Sequence, residues 1–133
     1  MDYEKILHAL ADYPGTGVGS YRTPAGYCAL GWLAKKAGIE ERDLREMGVV
    51  ETFLFAEYGL QHETQVALAA HNDMLAINGL IVTPEHRARR VRQFVQGLRD
   101  GLVADVSLSD ALEQAFQEGE TEAIDQPIGT GAP

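Results

Sequence analysis

Residues 26–38 read GYCALGWLAKKAG and hold the only cysteine and the only tryptophan of the chain, Cys28 and Trp32. Tyr27, Cys28, Ala29, Leu30, Trp32, Leu33 and Ala34 are apolar almost all round, the pattern of a helix buried on most sides. The stretch carries its own stop. Lys35 and Lys36 stand in the last turn, where cations favour the carbonyl end of the helix dipole, and Gly38 is placed for a left-handed cap. Gly31 inside the helix costs about 1 kcal/mol against alanine, so its presence predicts a backbone packed closely against it. The rest of the chain is expected to cover this central helix.

Toward the N-terminus, Tyr3, Ile6, Leu7, Leu10 and Ala11 recur at helical spacing, so residues 2–12 form an amphipathic helix that Pro14 and Gly15 stop. His8 belongs to its surface or boundary. Residues 15–20, GTGVGS, look superficially like a phosphate loop. Such loops follow a strand, open a helix and continue into Gly-Lys-Ser/Thr; here a helix precedes and none of that follows. Instead, TPAG at residues 23–26, flanked by Tyr21 and Tyr27, has Pro and Gly where a type I turn favours them. A small β-hairpin therefore feeds Cys28.

Toward the C-terminus, residues 39–47 and 49–58 read as two short helices separated by Gly48, with Leu44, Met47, Val50, Phe53, Leu54 and Tyr58 in the core. Residues 63–78 form a longer helix closed by Asn78 and Gly79, with Ala67, Leu68, Ala70, Met74 and Leu75 on its apolar face. After the apolar link Leu80, Ile81, Val82 comes a strong start signal: Thr83 as N-cap, Pro84 at the first helical position and Glu85 in the first turn. That helix runs to about Leu98, with Ala88, Val91, Phe94, Val95 and Leu98 on one face and Arg87, Arg89, Arg90 and Arg92 near its first half. Ser107 and Asp110 resemble a capping box for a last helix over 108–118. From Gly119 the composition cannot bury a core. The expectation is a mainly α, compact helical domain over 1–118 with a small N-terminal β-hairpin, and a disordered acidic tail over 119–133.

A chain of 133 residues, 45% hydrophobic, suffices for one domain with a real core. One cysteine allows no internal disulfide, and the charged, amphipathic start lacks a signal-peptide pattern, which together point to a reducing cytoplasm. No apolar run approaches the roughly 20 residues of a membrane span. The net charge of -9 is unevenly spread: residues 1–99 hold all 11 Lys and Arg and 12 of the 20 Asp and Glu, while residues 100–133 hold the other 8 acids and no base. A near-neutral body with an acidic end is not the footprint of a nucleic-acid binder.

Cys28, just after a turn at a helix N-terminus, is where the helix dipole can lower a thiol pKa. His62 and the run His71, Asn72, Asp73 follow it, and the order Cys, His, Asn/Asp is that of papain-like hydrolases. Against this stands the ordinary fate of a free cysteine as a small buried hydrophobe. His71 and Asn72, adjacent on a helix, point about 100° apart, so Asn72 could not orient His71. Asn72 and Asp73 disfavour helix interiors and call for a partner, either the hairpin or the N-cap of a neighbouring helix in a buried polar network, or else a ligand. His62 and His71, nine residues apart and without paired cysteines, make no metal site, and no cofactor is expected. Arg87, Arg89, Arg90 and Arg92 either grip phosphate or an acidic partner, or are neutralised by the acids of residues 100–125.

The chain resembles a group of small proteins common in bacteriophages and actinobacteria. The resemblance rests on an N-terminal helix, a Gly-rich hairpin, a Cys-x-Leu-Gly-x-Leu helix (Cys28, Leu30, Gly31, Leu33), a later Asn-Asp (Asn72, Asp73) and a following amphipathic helix, over roughly residues 3–98. It implies a mostly helical fold and a phage or mobile-element setting, and it supplies no reaction. The expectation is a non-catalytic accessory protein binding a protein partner, such as a host enzyme or defence component, through its acidic C-terminal segment or the arginines of residues 87–92. The alternative is a cysteine-dependent hydrolase or transferase using Cys28 with His71 or His62.

Overall fold

The computed structural model describes residues 1–77, 79–102 and 126–127 of the chain. Helices α1 (Tyr3–Leu10), α2 (Ala29–Lys36), α3 (Met47–Tyr58), α4 (His62–Asp73) and α5 (Pro84–Arg99) make a mainly helical fold. Between α1 and α2 lies a small hairpin, β1 (Arg22–Thr23) with β2 (Gly26–Tyr27); a 3₁₀ segment, Glu41–Arg45, leads into α3.

The central helix is α2, which packs against α1, α3 and α4. Ala29, Leu30, Gly31, Leu33 and Ala34 are buried, and the half-buried Trp32 donates from Nε1 to the Ala9 carbonyl at 2.7 Å. Its end follows the sequence signal: Gly38 takes φ +98°, Gly38 N donates to Lys35 O and Ile39 N to Ala34 O, both at 3.0 Å, the paired bonds of a Schellman cap. The close approach expected at Gly31 is the Tyr21 carbonyl, whose oxygen lies 1.9 Å from where a Cβ would stand.

One contiguous core joins Ile6 and Leu10 of α1, Leu33 of α2, Val50 and Leu54 of α3, Leu68 of α4 and Val91 of α5, all fully buried. Burying each such side chain is worth about 1.5–3 kcal/mol against exposure. Tyr58 crosses it and donates its hydroxyl proton to Leu33 O at 2.6 Å. On α5, Thr83 caps the helix by accepting from His86 N at 3.1 Å, with Pro84 in the first turn.

The structure differs from the sequence expectation in three places. Gly48 does not separate two helices; it lies inside α3, where burial of Val50, Leu54 and Tyr58 outweighs about 1 kcal/mol of glycine penalty. Residues 41–45 form a 3₁₀ turn instead of an α-helix over 39–47. The long helix over 63–78 stops at Asp73, with Met74 in extended backbone, and a second hairpin follows: β3 (Ala76–Ile77) pairs with β4 (Leu80–Ile81), with β5 (Gln126–Pro127) on the other side of β4. Asn-Gly at 78–79, read as a helix end, is also a strong two-residue hairpin signal. Leu75, expected on the apolar face of that helix, is therefore 63% exposed. The helix expected over 108–118 and, apart from β5, the tail expected over 119–133 lie outside the described residues.

Candidate functional site

Asn72 is fully buried, near the C-terminal end of α4. Its Oδ1 accepts from the Tyr13 hydroxyl at 2.5 Å and from Ala29 N, the first amide of α2, at 3.2 Å. Its Nδ2 donates to Gly17 O and to Asp73 Oδ1, both at 2.9 Å. A carboxamide has two donors and two acceptor positions, and all four are taken. Asp73 Oδ1 also accepts from Gly19 N at 3.0 Å. The two residues thus pin the Gly-rich loop and the start of α2 to α4, and the loop's Gly17 N is itself bound to Tyr27 O at 3.1 Å. The GTGVGS stretch is part of this knot, with two of its amides already engaged inside the protein.

Cys28 belongs to the same corner. It is the N-cap of α2, with Sγ accepting from Gly31 N at 3.5 Å, and it is 6% exposed. Burial pushes the thiol up to about 11, and the nearby Asp73 carboxylate adds to the rise, while the backbone amides of Gly31 and Leu30 work against it. The dipole argument for a reactive thiolate is therefore outweighed by desolvation.

The candidate bases do not offset this. His71 is fully buried and stacks on Phe94 of α5, ring centroids 4.3 Å apart. His62 is at the other extreme, with a side chain 68% exposed and Nδ1 2.8 Å from Glu51 Oε1. Cys28, His62 and Asp73 do share one cleft, of about 1050 Å³, whose lining does not include His71. Hydrogen bonds among the described residues tie Cys28 to Gly31 and His62 to Glu51, not to each other.

The four arginines proposed as a binding face are divided by α5. Arg87 and Arg90 are buried, Arg92 is half-buried and Arg89 is exposed. Arg87 Nη1 donates to Gly15 O at 2.6 Å, holding the Gly-rich loop against α5, and burial lowers its pKa. Gly15 fits there because it has φ +72° and because a Cβ would stand 2.0 Å from Pro84 O. A helix of period 3.6 cannot present positions 87, 89, 90 and 92 to one side, and here two of them face inward. These four residues do not form one surface.

The cleft is the feature that the sequence reading missed. Its walls are residues 19–24 of the loop and β1, the 3₁₀ segment with Met47 and Glu51 at the start of α3, and Gln65, Val66, Ala69 and Asp73 of α4. Met47, expected in the core, is 70% exposed at its rim, and Phe55, two turns along the same helix face, is 56% exposed. The signal was present in MGVVETFLFAEY: apolar residues on opposite sides of one helix exceed what a single core can cover. Glu41 of the cleft wall accepts from the Tyr27 hydroxyl through Oε1, which lowers the Glu41 pKa and raises that of Tyr27; Lys35 Nζ adds an ion pair to Glu41 at 3.2 Å.

Among the described residues, no three His, Cys, Asp or Glu side chains converge as metal ligands would, and no helix is long and apolar enough to cross a membrane. Comparison of the chain with protein-family models, curated proteins and solved structures finds no match.

Proposed function

We propose that this chain is a non-catalytic accessory protein, of phage or mobile-element type, that acts by binding a protein partner. One contrast supports the reading. The residues that could have carried chemistry, Cys28, Asn72 and Asp73, are each hydrogen-bonded within the fold, whereas α3 presents Met47 to solvent at the cleft and Phe55 two turns further along. Large apolar side chains left this exposed on one helix support an interaction site. Burial of Arg87 and Arg90 speaks against the α5 arginines as the contact, the acidic C-terminal segment lies outside the described residues, and the exposed side chains of α3 beside the cleft support a contact there.

The test uses the full chain with a photo-crosslinking residue at Phe55, compared with one at Lys36, followed by reconstitution with the purified crosslinked protein. The expected outcome is crosslinking from position 55 and not 36, and binding by the pure pair that Cys28→Ser leaves intact. Serine keeps an N-cap acceptor but removes the thiol. A folded Cys28→Ser protein that loses its biological effect would overturn the proposal in favour of the cysteine-dependent hydrolase or transferase.

A further inference from the structure

The cleft carries a more specific reading, which rests on the protein-binding proposal. We infer that it receives an extended, acidic segment of the partner protein, with a partner carboxylate on Arg45 and an apolar side chain against Met47.

The charge arrangement gives the sign. Three acids line the cleft, and each is already engaged: Glu41 by Lys35 and Tyr27, Glu51 by His62 at 2.8 Å, and Asp73 by Gly19 N and Asn72. Of the lining arginines, Arg42 pairs with Glu40 at 2.9 Å and Arg22 lies 3.9 Å from Glu41, its guanidinium 4.6 Å from the Tyr27 ring centre. Arg45 is exposed and makes no ion pair with another described residue. Among the described residues, the cleft therefore offers a cation without a counter-ion and no acid without a partner. A guanidinium in this position suits a carboxylate, which it can hold through two parallel N–H donors.

The walls supply the shape. Among the described residues the hairpin sheet has two strands, so β1 has β2 on one side and an edge without a partner strand on the other. Both residues of β1 line the cleft and neither residue of β2 does. An extended segment lying along β1 gains main-chain hydrogen bonds there while its alternate side chains reach Arg45 and Met47. A helix in the same place would leave that strand edge unused.

The test measures fluorescence anisotropy of three labelled ten-residue probes on the full chain. One alternates Asp with Leu and Phe; the second has Lys for Asp; the third has Ser for Leu and Phe. The first is expected to bind at least about tenfold more tightly than either other, with an affinity that falls as salt rises. Arg45→Glu is expected to weaken it about tenfold and Met47→Ser about fivefold, while Lys36→Glu on another surface leaves it unchanged. Both cleft positions are exposed, and circular dichroism checks that each variant is folded. Equal binding of the Lys probe, an unchanged affinity in Arg45→Glu, or no binding of any probe overturns the inference. If the probes fail but a partner is still captured from position 55, the protein-binding proposal stands and only the cleft's occupant is wrong. If both fail, both readings fall.

Discussion

Two regions meet along α4 and treat their residues in opposite ways. At its C-terminal end, polar groups lie in the interior: Asn72 is fully buried, with its four hydrogen bonds made. Beside the same helix, across the cleft, apolar groups lie in water: Met47 and Phe55 are 70% and 56% exposed on α3. Neither arrangement follows the usual sorting of side chains, and each calls for a different explanation. A buried polar group with every bond made is architecture, because its cost is already met within the fold. An exposed apolar face has no such internal account, so its explanation lies outside the chain. The comparison predicts that mutations in the first region act on stability and those in the second on binding.

The strongest attempt to break that division is Asn72→Ala. It orphans the Ala29 amide and the Gly17 carbonyl, although the Tyr13 hydroxyl retains Tyr27 O at 3.3 Å. Two buried backbone groups without partners, and the cavity, predict a loss of about 4 kcal/mol in urea denaturation. A loss below about 1 kcal/mol would show that the knot is not structural and reopen Asn72 as a ligand-binding residue.

Gly31→Ala comes next. Helix propensity alone predicts a gain of about 1 kcal/mol, but the new Cβ would stand 1.9 Å from Tyr21 O, a backbone atom. The loop or α2 must move, and a net loss of about 2 kcal/mol is expected by the same denaturation measurement. A stabilised Gly31→Ala protein would mean that the loop, and with it the cleft wall, rests loosely on α2.

How far these features were legible in the sequence depended on whether their cause was local. The α2 stop at Lys35, Lys36 and Gly38, the Thr83-Pro84 start of α5 and the TPAG turn are settled within a few residues, and each stands in the structure as the sequence implied. Gly31 and Asn72 announced a constraint without naming what imposed it, because Tyr21 and Gly17 reach them only through tertiary packing. The four arginines are close along the chain but do not share a face, because α5 turns Arg87 and Arg90 inward, and which way each points is set by packing against α4 and α1 that the sequence does not display. The cleft was illegible for a related reason. It is bounded by a loop, a 3₁₀ segment and two helices, and only the surplus of apolar residues in α3 hinted at it.

Cys28 sharpens the comparison by sitting at the boundary, in the cleft wall yet buried. Its folded pKa of about 11 lies above the ordinary value of 9.0, so its contribution to stability is fully present below pH 9 and is lost as pH rises through 11. The loss amounts to about 3 kcal/mol by linkage. Alkylation of the native chain with iodoacetamide, followed against pH, is expected to be slow until the protein opens. Fast labelling with a midpoint below about 8.5 would put a thiolate in the cleft and favour the enzyme reading.

The smallest effect tests the open side. Gly48 lies in the first turn of α3, and a Cβ built there meets nothing within 4 Å. Unlike Gly31, it has no backbone pressing on it, so Gly48→Ala is expected to stabilise the protein by about 0.5 kcal/mol through the lower entropy of the unfolded chain. The substitution adds only a methyl group beside Met47, so an unpartnered face gains stability and has nothing to clash with. In the presence of the acidic, apolar probe the same methyl becomes informative. If the segment lies along the Met47 end of α3, Gly48→Ala shifts probe affinity while raising the urea midpoint, so binding and stability move separately. A urea midpoint that falls in Gly48→Ala together with the probe affinity would instead mean that the face is held by the fold after all, and the distinction between the two regions would fail at the residue where it is easiest to see.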